Sequence, residues 1–510
     1  MNKFFKFIKT DFFIIFFLLI ISGIPRLVLL DKIPPGIHGD EGLTGIIARE
    51  ILSKGSVPSY VAAAAGIPSG SIYPTALIFK IFGENIFLLR VSPAIAGILT
   101  IIAFYVFLRL FFNKKVSILT TIAFNFSLIH IHYSRIAYNV IYLPLLQLMS
   151  LIFFILYRRK NNSLFIILSA IFAGFGFHSY HVFILFPLSL ISLLVVDIYR
   201  YKFSFLKIKQ LFLFIVFFGI VSFPILKVMV FQPDFYFSHV KTYNILNENN
   251  VKNKVDFINK SKLILKNGFE NLSFFILGGK VDFIDAFGKY YNFNRSYLIL
   301  FFLGICLSFI ENKRINYFIL FSLVFFLAPT FFTFEGTYRR SILTLIYFYY
   351  FFAVAIKWIV GKVKNKQQII IIFLLTTIIV TESFINLITY FNFFPYDQES
   401  KFVYTYELTN AGIRINQMTD EKTEILFLSS RWSCKYETLR FINHDRTCED
   451  RSKEFGNFDL SPKSQNNVLF VLLNEYVFFI KEIKNKYPGG KEKIILDNKT
   501  KNIIGVLYKI

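Results

Sequence analysis

The chain has 510 residues, of which 55% are hydrophobic and 19% aromatic, with a net charge of +24 and a mean hydropathy of +0.55. Its apolar residues come in blocks, which is the composition of a multi-span membrane protein and excludes an ordinary soluble enzyme. The positive charge sits in short clusters between the blocks, so membrane orientation explains it and nucleic acid is not expected as a partner.

A hydrocarbon core about 30 Å thick needs roughly 20 apolar helical residues to cross it. Lys3, Lys6 and Lys9 precede an apolar run too long for a signal peptide, so the first span is read as uncleaved. Candidate spans are 12–30, 86–111, 116–132, 140–157, 163–177, 181–198, 210–230, 296–310, 315–332, 341–360 and 368–390. Basic residues mark the loops on one side: Lys114 and Lys115, Arg158 to Lys160, Arg200 with Lys202, Lys313 and Arg314, then Lys362, Lys364 and Lys366. With the basic N-terminus they define the cytoplasmic face, and about eleven crossings place the C-terminus outside.

The outer face then receives the loop 31–85, the turns near Arg135 and His178, the long loop 231–295 and everything after Phe391. The expected division is a membrane domain over 1–395 and an extracytoplasmic α/β domain over 396–510, large enough to bury its own core. Within the long loop, Val251 to Phe275 has helical spacing and reads either as an interfacial helix or as one packed on the protein. In the tail, Glu424 to Ser429 and Asn467 to Leu472 read as strands. Asn474 to Tyr487 reads as a helix with Asn474 as a cap, and Lys493 to Leu496 with Ile503 to Lys509 as a closing hairpin. Cys434 and Cys448 of the tail are either a disulfide or two free thiols.

Chemistry concentrates in a few places. Pro34-Pro35-Gly36-Ile37-His38-Gly39-Asp40-Glu41-Gly42 sets an adjacent acidic pair in water just beyond the first span. Taken alone, two acids ahead of a helix-like run read as capping, since they favour a helix N-terminus electrostatically. Beside it stand Tyr73-Pro74-Thr75-Ala76, Leu89-Arg90-Val91-Ser92-Pro93, His132-Tyr133-Ser134-Arg135, Gly176-Phe177-His178-Ser179-Tyr180 and Phe334-Glu335-Gly336-Thr337-Tyr338-Arg339-Arg340.

In this order, from Ile33 to about Ala355, the series resembles the bacterial polyprenyl- or dolichyl-phosphate-sugar transferases. That group includes protein O-mannosyltransferases and lipid A aminoarabinose transferases. The resemblance implies the GT-C fold: an all-α polytopic membrane domain of about 11 transmembrane helices with a C-terminal soluble α/β domain. It implies an inverting transferase that moves a sugar from a polyprenyl-phosphate donor to a lipid, glycan or protein acceptor at the outer face of the cell membrane. Asp40, with Glu41 beside it, is implied as the catalytic base. Arg90 is implied to support the carrier phosphate or the acidic pair. Some relatives carry His-Pro-Pro-Leu where this chain has Tyr73-Pro74-Thr75-Ala76, and others a Lys where it has His178-Ser179-Tyr180-His181, which leaves the subgroup and its acceptor open.

The chemistry explains why so few groups suffice. A glycosidase needs one carboxylic acid to protonate a poor leaving group and a second carboxylate to activate water or attack. A polyprenyl phosphate leaves without protonation, so one base for the acceptor and cations for the phosphate are enough. Arginine suits the second task because it stays charged and offers a planar fork of donors. Arg90, Arg135, Arg339 and Arg340 fall at external span ends and are the candidates, each with an interfacial snorkelling role as its alternative, and Lys80 is a further one. His38, His178 and Tyr180 are candidates for polar contacts to substrate. The histidine spacings, His130, His132 and His181 included, match no ligand signature, so no metal and no cofactor is expected. A transporter or flippase of lipid-linked saccharides is the rival reading, as is a polymerase or ligase. A transporter would place charges near the midplane of its spans.

Overall fold

A computed structural model of the protein describes residues 10–62, 66–247, 257–277, 294–333, 337–363, 365–420, 422–444, 446–452, 462 and 467–510. By contact the chain forms two compact units. One holds Met1–Val28, Val57–Tyr73 and Val91–Tyr390; the other holds Leu29–Ser56, Pro74–Arg90 and Phe391–Ile510.

The first unit is helical, and each expected span is helical over most of its length, with 116–132 divided between two helices. Among the described residues, seven helices are long and apolar enough to cross a membrane: Ile86–Arg109, Asn139–Lys160, His181–Arg200, Phe205–Phe231, Arg314–Phe332, Tyr338–Lys362 and Lys366–Tyr396. Lys114–Asn125 and Leu128–Ser134 pass together but are bent by 61°, making an eighth if they are one span. Phe12–Leu27 and Ser163–Gly176 are apolar but shorter, and Arg295–Glu311 has 17 residues. Large apolar side chains on these helices face outward, among them Phe13 at 83% exposed and Phe373 at 68%, a surface that only lipid tolerates. This is a membrane protein. Tyr338–Lys362 is the most enclosed of the spans. Arg295–Glu311 reaches it at Gly304, where a Cβ would lie 1.9 Å from the Phe351 carbonyl oxygen.

In the long loop the described helix is Phe257–Leu277. Residues 251–256, the start of the stretch expected to be helical, lie outside the described residues. The helix packs on the protein: Asn267 Nδ2 donates to the carbonyls of Phe331 and Thr333 at 2.9 Å each. Its other side leaves Ile258, Leu265 and Phe269 exposed, so it carries both of the features weighed for it.

The second unit is built on a five-stranded sheet in the order Glu449–Asp450, Glu424–Leu428, Val468–Leu473, Ile503–Lys509, Lys491–Leu496. The first three strands run parallel, and the last two join antiparallel as the expected hairpin. Val468–Leu473 is buried at every residue because helices cover both faces. Leu408, Ala411 and Ile415 lie against one side and Tyr476 and Ile483 against the other.

Asn474 does not cap a helix: it takes φ +57° at the start of a 3-10 turn, and its Nδ2 donates to Glu407 Oε2 at 2.6 Å. The side chain is spent on a tertiary contact, and the α-helix begins only at Ile480. Cys434 and Cys448 are free thiols, with Cys434 Sγ donating to the Cys448 carbonyl at 3.0 Å.

Segments 29–56 and 74–90, read in sequence as part of a loop of the helical domain, group with the C-terminal segment. One buried ion pair ties that segment together. Lys401 Nζ meets Asp497 Oδ2 at 2.6 Å, with both side chains about 5% exposed. Burial alone would push the Asp497 carboxyl up. Lys401 and the backbone N–H groups of Thr500 and Lys499 outweigh that and hold it down at about 2. A depressed carboxyl stabilises the fold above its unfolded pKa of about 3.9, and that contribution fades as pH falls from about 4 towards 2. Lys401→Met leaves a buried carboxylate unpaired and is expected to cost about 3–5 kcal/mol. Thermal unfolding at pH 7 reads that loss. A pH series on the variant should lose the acid-dependent part of the decline.

Candidate active site

The acidic pair lies in the second unit, and its geometry begins with backbone capping. The helix Gly39–Lys54 starts at His38, whose Nδ1 accepts from the Asp40 N–H at 3.1 Å. Glu41 Oε2 accepts from the His38 N–H at 3.1 Å, which completes a capping box. The capping expected of the acids therefore belongs to His38 and Glu41.

Glu41 is fully buried and receives Arg90 through two parallel bonds, Nε to Oε1 at 2.8 Å and Nη2 to Oε2 at 3.0 Å. Arg90 is equally buried. Its Nη1 donates to the carbonyls of Leu30 at 3.1 Å and Pro34 at 3.2 Å, and its Nη2 to that of Gly36. These bonds use all the N–H donors a guanidinium has. Arg90 is thus bonded to Glu41 of the acidic pair and to three backbone carbonyls.

The segment before the helix is seated with equal care. Ile37 N–H donates to Thr409 Oγ1 at 3.0 Å, and the Ile37 carbonyl accepts from Thr405 Oγ1 at 2.8 Å and Thr438 Oγ1 at 2.9 Å. Gly36 passes so close that a Cβ there would meet the Tyr404 carbonyl at 2.0 Å. Gly39, Gly42 and Gly45, three apart on one helix face, let that face press on Tyr436 and the helix Glu437–Ile442. Arg49 fixes the following turns, with Nε on Glu84 at 3.0 Å and Nη2 on the Phe441 carbonyl at 2.9 Å.

With Glu41 turned in, Asp40 is the accessible acid: its side chain is 40% exposed, and its Oδ2 lies 3.8 Å from His38 Nδ1. Tyr436, which sequence reasoning passed over, belongs to this neighbourhood. Burial, with Glu437 and Asp40 adding to it, pushes its phenol up. The unread signal was the glycine repeat, which demands a bulky partner across it. Lys80 is exposed on the helix Tyr73–Phe82.

A methyl group at Gly42 would lie 2.7 Å from the backbone of Glu437 and cannot be accommodated by side-chain rotation. Gly42→Ala is expected to cost about 1–3 kcal/mol in thermal stability. Gly219→Ala, inside the helix Phe205–Phe231 where nothing lies within 4 Å, should not lower the melting temperature and by helix propensity should raise it slightly.

The other candidates lie in the first unit. Arg135 is buried rather than snorkelling: Nη1 donates to the Pro25 carbonyl at 2.8 Å, and the guanidinium lies 5.6 Å from the Tyr390 ring centre. Beside it is Arg26, also missed in sequence. It is buried and bonded to Asn125 Oδ1 at 2.9 Å, His130 Nδ1 at 2.8 Å and Ser134 Oγ at 3.3 Å. Arg340 is buried, 5.1 Å from the Tyr243 ring centre, and its Nη1 lacks a hydrogen-bond partner among the described residues. Arg339 lies 5.9 Å from the Tyr138 ring centre. Residues 334–336 of that motif lie outside the described residues.

The histidines are separated by their tasks. His178 Nε2 bonds to the Val221 carbonyl at 2.8 Å, and His181 Nε2 to Tyr60 Oη at 3.2 Å and the Gly66 carbonyl at 3.1 Å. His132 Nδ1 faces Tyr390 Oη at 3.4 Å. Tyr180 packs edge-on to His239, 6.3 Å between ring centres. Among the described residues no three His, Cys, Asp or Glu side chains are grouped to hold a metal ion.

The whole backbone is similar to solved proteins. ArnT from Cupriavidus metallidurans, bound to undecaprenyl phosphate, superposes with a TM-score of 0.54 at 11% identity, covering 96% of this chain and 97% of that one. Its apo state gives 0.51 at 10% identity, covering 98% of each chain. The fold is GT-C. The archaeal oligosaccharyltransferase AglB from Archaeoglobus fulgidus, in complex with an inhibitory peptide and a dolichol-phosphate, gives 0.52 at 13% identity. That match covers 86% of this GT-C chain and 64% of AglB. The dolichyl-phosphate-mannose-protein mannosyltransferase family profile matches residues 68–226, a stretch that includes Arg90 and Arg135. None of the curated proteins matches the chain in sequence.

Proposed function

We propose that this GT-C protein is a glycosyltransferase that moves a sugar from a polyprenyl-phosphate donor to an acceptor hydroxyl or amide, with Asp40 as the base. The observation that carries the reading is the division of labour in the acidic pair. Glu41 and Arg90 are consumed in fixing the backbone, and the neighbouring carboxyl is presented to solvent at a preset position. Orientation of this kind is what a general base needs.

The fold adds support, since solved proteins that share it hold undecaprenyl phosphate or dolichol-phosphate. Asp40 takes the acceptor proton as the acceptor oxygen or nitrogen attacks the anomeric carbon. The bond to the phosphate oxygen breaks, and the lipid phosphate leaves as an anion held by cations. Of the arginines considered for that role, we assign it to Arg340, which is buried with a donor still unused among the described residues.

The reading sets the protein in a cell membrane with a cytoplasmic N-terminus and the sheet outside. The basic span ends support that orientation. The test supplies purified protein in vesicles with polyprenyl-phosphate bearing a radiolabelled sugar and a membrane extract as acceptor. Transfer of label, with release of polyprenyl phosphate, is expected. Binding of the donor with no transfer to any acceptor, but with movement of it across the bilayer, would favour the flippase reading. Labelling of a Cys placed at position 435 by an impermeant reagent from the cytoplasmic side alone would overturn the orientation.

A further inference from the structure

The helical unit contains a cavity of about 670 Å³ among the helices Ile86–Arg109, Tyr142–Lys160, Leu185–Arg200, Arg314–Phe332 and Leu345–Lys362. Its size is that of a small-molecule site. Its wall is apolar, with Phe107, Leu151, Phe154, Ile155, Leu193 and Phe318. All of its charge lies at helix ends: four guanidiniums, Arg158, Arg159, Arg200 and Arg314, against one carboxylate, Asp197.

These four are not equivalent. Arg158 takes Asp197 at 2.9 and 3.0 Å, and Arg159 donates to the Leu110 carbonyl and lies 5.5 Å from the Phe111 ring centre. Arg200 and Arg314 have side chains with no hydrogen bond or ion pair to any described residue. The lone carboxylate is thus already engaged, and two exposed cations flank an apolar hollow.

We infer that this cavity binds one anionic glycerophospholipid of the surrounding membrane, its phosphate on Arg200 and Arg314 and an acyl chain against the Phe107, Leu151 and Phe318 wall. Charge complementarity selects the head group, as in other basic pockets between membrane helices. The apolar wall selects a lipid over a soluble phosphate ion. The sequence assigns these basic ends to the face opposite the one it assigns to Asp40. Lipid binding here does not depend on the proposed reaction.

The experiment is native mass spectrometry of detergent-purified full-length protein titrated with phosphatidylglycerol or phosphatidylcholine. One phosphatidylglycerol is expected to stay bound where phosphatidylcholine does not. Arg200→Gln with Arg314→Gln should weaken that retention about tenfold or more, since charge-assisted bonds are lost. Leu193→Trp, which keeps every arginine but fills the hollow, should weaken it as well. Arg200→Gln alone, at an exposed position, serves if the double variant is not recovered folded. Equal retention of the two lipids, or unchanged retention in the variants, overturns the assignment. So does displacement by excess inorganic phosphate, which would mark a soluble-anion site, or equal competition by polyprenyl phosphate, which would mark a donor site.

Discussion

Asp40→Asn is expected to reduce sugar transfer by about two to four orders of magnitude, the usual worth of a positioned general base. Asparagine keeps the shape of the side chain and its place on the helix Gly39–Lys54, but its amide cannot take the acceptor proton. The competing account, in which Asp40 only favours the helix N-terminus, makes the opposite forecast. Removing a first-turn charge would then cost about 0.3–1 kcal/mol of stability and nothing in turnover. The two accounts separate cleanly because the capping bonds belong to other atoms: His38 Nδ1 and Glu41 Oε2 hold the backbone. Transfer from labelled donor and thermal unfolding should be measured on the same preparation, with donor binding as the control. Near-normal transfer by a slightly destabilised variant would return Asp40 to a helix-terminal role.

Arg90→Ala should cost about 3–5 kcal/mol of stability, because it strands the buried Glu41 and frees three carbonyls. Arg90→Lys keeps charge but offers fewer donors and no planar fork, so it should recover only part of the loss. Glu41→Gln retains one acceptor for Arg90 and is expected to fall between these and the wild type. Glu41→Leu with Arg90→Met removes both charges together and should be less damaging than Arg90→Ala, since no buried ion remains unpaired. Transfer should fall in all of these variants as Asp40 loses its seat, but donor binding should persist in those that fold. Unfolding in detergent, followed with each variant, provides the comparison. Wild-type stability in Arg90→Ala would remove the pair from the architecture of the site.

The amino-acid sequence by itself determined the helical character of all the expected spans, because a lipid-facing helix must be apolar along its length and that demand is local. It determined the central strands for the same reason, since Val468–Leu473, covered on both faces, reads as an unbroken apolar run. It also placed the acidic pair at the head of a helix. Which acid is exposed was decided by tertiary structure alone. Neighbours on a helix point about 100° apart, so one of Asp40 and Glu41 had to turn inward once the opposite face was fixed. That face was fixed by Gly39, Gly42 and Gly45 against residues 436–441, nearly four hundred positions along the chain. The burial of Arg26 and Arg135, hydrophobic by neither pattern nor propensity, likewise depends on carbonyls, amides and rings brought in from other helices. Three threonine hydroxyls around Ile37 also join 29–56 to the C-terminal segment, an effect no local pattern encodes.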